Sequence, residues 1–432
     1  IVAFFNDVHG LVPRDKLGIP RLATGELHPE ECFRIGQTVK AKVLSCSPKQ
    51  QKMLLSLDLS AAAEKERHVC RELVGTLVAG VVERTSQNEI HLRLDGLDGI
   101  DGLLQIEHTT DHSGLRADLV KTFCIGQRVD RMLVLQASDA KRQVVLTKKN
   151  SLVWAAASGN LPRDFGNVSN GDVIPGYVSR VTNFGVFVNF LSSLSGLAMR
   201  GNVADEFVTD PSKHFQPGQS VRARVLHLDP DTQKMQLSLK QSDCQSGDIS
   251  FLRSYFTDVW AAAGSLGGVV ETRGGMYASI VIGGIADGVV EDSKYGGIVV
   301  DLGDDLTGFV KTEHCQDIEC EVGQTVRARV LDVDPRKAIV DLSLLPSLVV
   351  PSKKTLPLQK PVVGSLIRGT VQLVKPTYAV VTLNEGQNVC FVNCQDYNSR
   401  MGDSKSLYTH GATVTVRVVR AASKKRGTSD NR

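Results

Sequence analysis

The stretch NFGVFVNF, residues 183–190, sets two phenylalanines, Phe184 and Phe187, on either side of a Gly-Val pair. Val186, Val188 and Phe190 share one side of an alternating strand, so Phe187 falls on the other. VRARV alternates in the same way: Val221, Ala223 and Val225 point inward, and Arg222 and Arg224 point out. In KMQLS the outward set is Lys234, Gln236 and Ser238. Outward rings beside outward cations suit one chemistry. Bases of a single-stranded nucleic acid stack on the rings while the cations follow its phosphates. The same rings could instead pack against a neighbouring unit, and the residues alone leave both readings open.

The elements that must position these side chains are repeated. Residues 35–57, 125–147 and 217–239 are variants of VGQTVRARVLDVDPRKAIVDLSL at 322–344, and a shortened form starts at His410. A second phrase, G-x-[VIL]-x-x-G-x-V, stands at Gly75–Val82, Gly171–Val178, Gly283–Val290 and Gly364–Val371. From its first glycine to the glycine of the later phrase is 51, 47, 40 and 47 residues. A unit of roughly 70–80 residues made of short strands fits a five-stranded OB-type barrel. In the third unit, Val173, Gly176 and Val178 belong to strand one and Phe184–Phe190 to strand two. Gly196-Leu197-Ala198 opens strand three, and a partly helical segment follows from Met199 to His214. Strand four, a turn at Asp229-Pro230-Asp231, and strand five with Met235, Leu237 and Leu239 inward complete the unit.

The expected fold class is therefore all-β: a tandem array of five-stranded OB-fold barrels joined by short helical linkers. A partial unit covers 1–60. Further units cover 71–150, 170–243 (the most typical), 281–345 and 362–420 (incomplete). Linkers fall at 244–280 and 346–361. Phe251, Tyr255, Val259 and Ala262 recur at helical spacing, predicting an amphipathic helix over 250–263. Its VWAAAG echoes VWAAASG at 153–159, and these carry the two tryptophans, Trp154 and Trp260. Such helices are expected to pack on their adjacent barrels and fix the angle between units; docking a partner protein is the alternative. Pro346 to Pro361, with four prolines, reads as an extended spacer that separates the fifth unit.

Charge is nearly balanced, 50 Lys+Arg against 47 Asp+Glu, so any nucleic-acid site is local. Nine irregularly spaced cysteines point to a reducing compartment rather than a disulfide framework. His314-Cys315 with Cys320, and Cys390 with Cys394, lack a second pair at zinc-finger spacing, so no metal and no cofactor is expected. No apolar run approaches the ~18 residues of a membrane span, so no membrane partner is expected. No phosphate-cradling loop, HExxH or GxSxG is present, and the chain is not expected to be an enzyme. Both ends read as cuts through a longer protein.

The phrase GDVIPGYVSRVTNFGVFVNF…LSGL…PGQSVRARVLHLDPDTQKMQLSLK resembles an S1 RNA-binding domain. The resemblance is strong for the third unit, good for the first, second and fourth, and weaker for the fifth. It implies OB-fold barrels that bind single-stranded RNA. Phe184 and Phe187 match the family's base-stacking aromatics, and Asp229 and Lys234 its polar pair on the closing hairpin. The family's histidine after strand three is Met199 here, followed by Arg200, a departure that weakens the site. In the fourth unit Tyr295 keeps one aromatic, Val299 replaces the second, and Lys311 takes the histidine's place. The second unit offers Asn88 and His91 at the aromatic positions, the first Ile1, the fifth Thr377 and Val380. The RNA-binding candidates are thus Phe184, Phe187, Arg200, Arg222, Arg224, Asp229, Lys234, Tyr295 and Lys311.

Residues 281–345 hold 13 acidic and 6 basic side chains, so the fourth unit reads as a poor RNA binder that docks on a basic protein surface. Residues 352–420 hold 9 basic and 3 acidic, suiting either sequence-blind phosphate contact or a solvated linker and tail. IVAFFNDVHGLVPRDKLG resembles a repeat from the long S1 arrays of the ribosomal RNA-processing protein five family. That implies a nucleolar or nuclear factor in pre-ribosomal RNA processing and small-subunit assembly. Its implied partners are single-stranded pre-ribosomal RNA and ribosome assembly proteins.

Overall fold

A computed structural model describes residues 1–420 apart from 5–7, 18–31, 48–51, 58–69, 98, 245–247, 265–279, 295, 316–317, 351–360, 384–385, 387 and 400–407. The first unit contributes β1 (Val2–Ala3), β2 (His9–Gly10), β3 (Lys42–Ser47) and β4 (Lys52–Ser56), paired as two small sheets. The second is a closed barrel of β5 (Leu77–Thr85), β6 (Glu89–Leu94), β7 (Asp101–Gln105), β8 (Arg128–Ser138) and β9 (Gln143–Thr147). The third closes with β10 (Val173–Thr182), β11 (Gly185–Asn189), β12 (Ser195–Met199), β13 (Ser220–Asp229) and β14 (Lys234–Ser238). The fourth repeats the order with β15 (Ile285–Lys294), β16 (Gly297–Asp301), β17 (Thr307–Lys311), β18 (Thr325–Asp334) and β19 (Ile339–Ser343). The fifth is a four-stranded sheet of β20 (Leu366–Val374), β21 (Tyr378–Leu383), β22 (Asn388–Asn393) and β23 (Thr413–Arg417).

The two recurring phrases close the barrel. Gly171 and Gly218 lead into β10 and β13 with φ of +93° and +75°, a region that favours glycine. Their N–H groups donate across the closure, Gly171 to the Val225 carbonyl at 2.8 Å and Gly218 to that of Val178 at 2.7 Å. Gly176, the second glycine of the opening phrase, lies against β11; a Cβ there would stand 2.9 Å from the Asn189 carbonyl oxygen. Pairing slips by one residue between Val178 and Arg180 on β10 and between Val225 and His227 on β13. Such bulges bend the strands so that five can close. The inward set is as the alternation predicts: Val221, Ala223, Val225, Met235, Leu237 and Leu239 are all buried. Ser238 differs. It faces out of its barrel but is buried, its hydroxyl donating to Asp243 at 2.6 Å beneath the short helix Gln241–Cys244.

Helix α1 (Asn150–Ala157) follows the second barrel, and helix α2 (Ser250–Gly264) follows the third. The predicted apolar stripe of α2 is present, but the helix reaches beyond its adjacent barrels. Val259 and Ala262 meet Leu115 and Leu119 of the second unit, while Leu252 and Phe256 meet Tyr378 and Val380 of the fifth. Polar bonds fix this strut. The His112 ring bonds the Ser254 hydroxyl at 2.8 Å, and the Asp258 carboxylate accepts from Asn150 at 2.9 Å and from the Thr110 hydroxyl. Lys149, fully buried, donates to Gly218 O at 2.7 Å and to the Ser220 hydroxyl at 2.9 Å, tying the second barrel to the third.

Burial raises the Asp258 carboxyl to about 7. Between 3.8 and about 7 the folded chain holds a proton that the unfolded chain has released. Asp258 therefore contributes stability at low pH and loses it as pH rises through 7. Asp258→Asn removes that limb. In denaturant melts, parent-minus-variant stability should fall by up to ~1.4 kcal/mol per pH unit over this window. Parallel curves would refute the assignment.

The spacer expected at 346–361 needs correction. Pro346–Val349 is a helical turn with Leu348 buried, and 351–360 lie outside the described residues. The fifth unit is not held apart: it packs on the third and fourth barrels. Asn398 donates to the Arg222 and Leu239 carbonyls at 2.7 and 2.8 Å, and its own carbonyl accepts from the Arg222 N–H at 2.8 Å.

Candidate nucleic-acid interface

Strand pairing aligns one outward position per strand into a row around each barrel. In the third it reads Arg180, Phe187, Leu197, Gln236, His227. Arg180, Gln236 and His227 are exposed and the two apolar residues half-buried. The Arg180 guanidinium lies 4.6 Å from the Phe187 ring centre, a cation–π contact. Phe184, 55% exposed, precedes β11 and meets Phe187 edge-on with centroids 6.0 Å apart. Its carbonyl accepts from the Arg200 N–H at 2.8 Å, so Arg200 and the exposed Met199 share its end of the face.

Asp229 and Lys234 pair at the opposite end, where β13 turns into β14. The Asp229 carboxylate accepts from the Thr232 hydroxyl at 2.6 Å and from the N–H groups of Asp231 and Thr232. These bonds hold its carboxyl below the usual range, the Thr232 hydroxyl most of all. Asp229 thus shapes the turn that presents Lys234.

Not every candidate joins this face. Arg224 is exposed, but it opposes Val173 at the start of β10, round the barrel from the phenylalanines. Arg222, expected to be an outward cation free for phosphate, is engaged. Its guanidinium bonds Asp248 at 2.8 Å and Ser250 at 2.9 Å and stands 5.2 Å from the Tyr397 ring centre. It is a junction residue between the third barrel, α2 and the fifth unit. Tyr295 lies outside the described residues. Lys311 pairs with Gly297 as Met199 pairs with Gly185, so it holds the equivalent position in the fourth barrel, half-buried.

The equivalent rows elsewhere differ. In the second barrel the row is Arg84, His91, Leu103, Val145, Gln136. His91 is half-buried and held between Arg84 and Asp101, each 3.0 Å from a ring nitrogen. In the fourth barrel the row is Asp292, Val299, Phe309, Asp341, Asp332. The fifth unit closes this face. Lys375 sits 2.9 Å from Asp332 and 2.6 Å from Asp341, and the Tyr378 hydroxyl donates to Asp332 at 2.5 Å. Burial alone would lower the Lys375 ammonium's affinity for its proton, but the two carboxylates outweigh it and raise it. His314, also buried, bonds the Gln372 carbonyl at 2.9 Å. The fifth unit's own row begins Leu373, Val380, Phe391, and it is covered by α2 and the fourth barrel.

Sequence reasoning missed Arg180. Strict alternation from Val178 turns it inward; the bulge turns it out.

Residues 168–240 match the S1 RNA binding domain, 283–344 the RRP5 S1 domain and 352–430 the RRP5 OB-fold domain. The chain is a tandem S1-domain protein resembling RRP5. The rRNA biogenesis protein RRP5 of Arabidopsis thaliana is 28% identical over 428 residues, covering 96% of this chain and 22% of that protein. The protein RRP5 homolog of Homo sapiens is 31% identical over 446 residues, covering 96% and 23%. Small ribosomal subunit protein bS1 of Staphylococcus haemolyticus is 28% identical over 231 residues, covering 52% and 56%. This chain therefore spans less than a quarter of the RRP5-named relatives it matches.

Proposed function

We propose that this RRP5-like segment is an RNA-binding scaffold in ribosomal RNA processing and small-subunit pre-ribosome assembly, working in the nucleolus. The third barrel grips single-stranded pre-ribosomal RNA. Phe184 and Phe187 stack bases, and Arg180, Arg200 and Lys234 follow the phosphates. One observation carries this reading: among the described faces, the third barrel's is both aromatic and open, whereas the fourth and fifth are closed on each other. A spacer whose phenylalanines pack between barrels would bury Phe184, which is 55% exposed. The remaining outer surfaces of the array serve assembly proteins.

Photo-crosslinking with 4-thiouridine-substituted single-stranded pre-ribosomal RNA tests the site. Adducts should concentrate on residues 180–200 and fade as unlabelled RNA competes. Adducts spread evenly over the chain, or confined to other units, would remove the third barrel as the grip.

A further inference from the structure

A cleft of about 560 Å³ lies between the second barrel and α2, apart from the face just described. Arg128, Arg131, Lys148, Arg253 and Arg420 line it with Trp154; its acids are Asp130 and Asp258. Arg128 is neutralised by Asp95 and Asp130. Arg131 and Arg253 are exposed, and among the described residues neither is ion-paired. Two further features go with the charge. Arg131 has φ of +55°, a left-handed conformation unfavourable for an arginine, where the pairing of β8 with β5 slips. Local strain of this kind tends to gather at binding sites. The Arg253 guanidinium lies 5.0 Å from the Trp154 ring centre, and Trp154 is half-buried, leaving part of its ring on the cleft wall.

We propose that this cleft is a second seat for single-stranded RNA, taking its sugar-phosphate backbone on Arg131 and Arg253 with a base against Trp154. The proposal rests on the RNA-binding reading above and extends it to a separate surface. Excess cations in a groove attract any polyanion, but the part of the Trp154 ring left on the cleft wall offers a base a surface to stack on, and an acidic peptide has no base to place there. The volume falls in the ~300–1,000 Å³ range of pockets for small ligands, room for a nucleotide and not for a folded domain.

Trp154 and Trp260 are the two tryptophans, so Trp260→Phe leaves Trp154 as the reporter. Oligouridylate should quench its fluorescence in the full chain. Arg131→Gln/Arg253→Gln changes two exposed residues and should abolish the quench. It should also reduce the slope of log affinity against log salt by roughly 1.4, at ~0.7 per lost phosphate contact. Phe184→Ala/Phe187→Ala should leave the quench in place. Oligouridylate that binds through the third barrel yet leaves Trp154 unquenched overturns the cleft and spares the earlier reading. Oligouridylate that does not bind at all overturns both. Poly-glutamate quenching Trp154 as strongly as RNA overturns the proposal in favour of an acidic peptide.

Discussion

Replacing Phe184 and Phe187 together by alanine is expected to cost about 2–6 kcal/mol of affinity for single-stranded pre-ribosomal RNA, from ~1–3 kcal/mol per stacked base. The salt dependence should hardly change, because its slope counts neutralised phosphates and neither ring carries charge. That pairing of outcomes separates stacking from a general loss of the groove. The rings do not contribute equally to the fold. Phe184 is mostly in solvent, so Phe184→Ala alone should leave thermal stability within ~0.5 kcal/mol, as surface substitutions do. Phe187 is half-buried beneath Arg180, so its removal also frees that guanidinium. Titrations of the parent, both single variants and the double variant across a salt series measure all of this. A double variant that binds like the parent would make the rings packing residues and the array a protein-docking spacer.

Much of the barrel is written in local pattern. The glycine of each phrase marks a left-handed turn, and alternation marks the inner face, because both depend on residues within one or two turns of chain. The outward positions were less legible. Arg180 is turned out by a bulge that leaves no mark in the alternation. Arg222 looks like a free cation because the partners of its guanidinium are remote: Asp248 is 26 residues away, and Tyr397 belongs to the fifth unit. The proline-rich linker suggested separation, yet surfaces far apart in sequence hold the fifth unit against the rest. Two acids of the fourth unit, Asp332 and Asp341, are met within the chain by Lys375, a contact that the charge count of the unit does not reveal. What local pattern cannot encode is which copy of a repeated face remains open, since that depends on packing between copies.

Lys375→Met should destabilise the junction of the fourth and fifth units by about 3–5 kcal/mol, the usual cost of removing one partner from a buried ion pair. The variant leaves two carboxylates facing each other, with Asp332 fully buried. Adding Asp332→Asn should recover part of the loss, because an amide needs no counter-charge and can still accept from the Tyr378 hydroxyl. Denaturant melts with hydrogen exchange over 366–393 report the effect where it should fall. A loss below about 1 kcal/mol would rank the pair with surface salt bridges and refute its role as the clasp. The consequence for function follows from charge. Opening the clasp frees the Tyr378 side of the junction from the fourth barrel and should raise binding of a hydrophobic dye. Yet Asp292, Asp332 and Asp341 stand in the same row as Phe309, so phosphates are repelled where that ring would attract bases. RNA affinity should therefore not rise when the clasp opens. The closed face is acidic, and the third barrel differs from it chiefly in having Arg180, Gln236 and His227 where the fourth has aspartates.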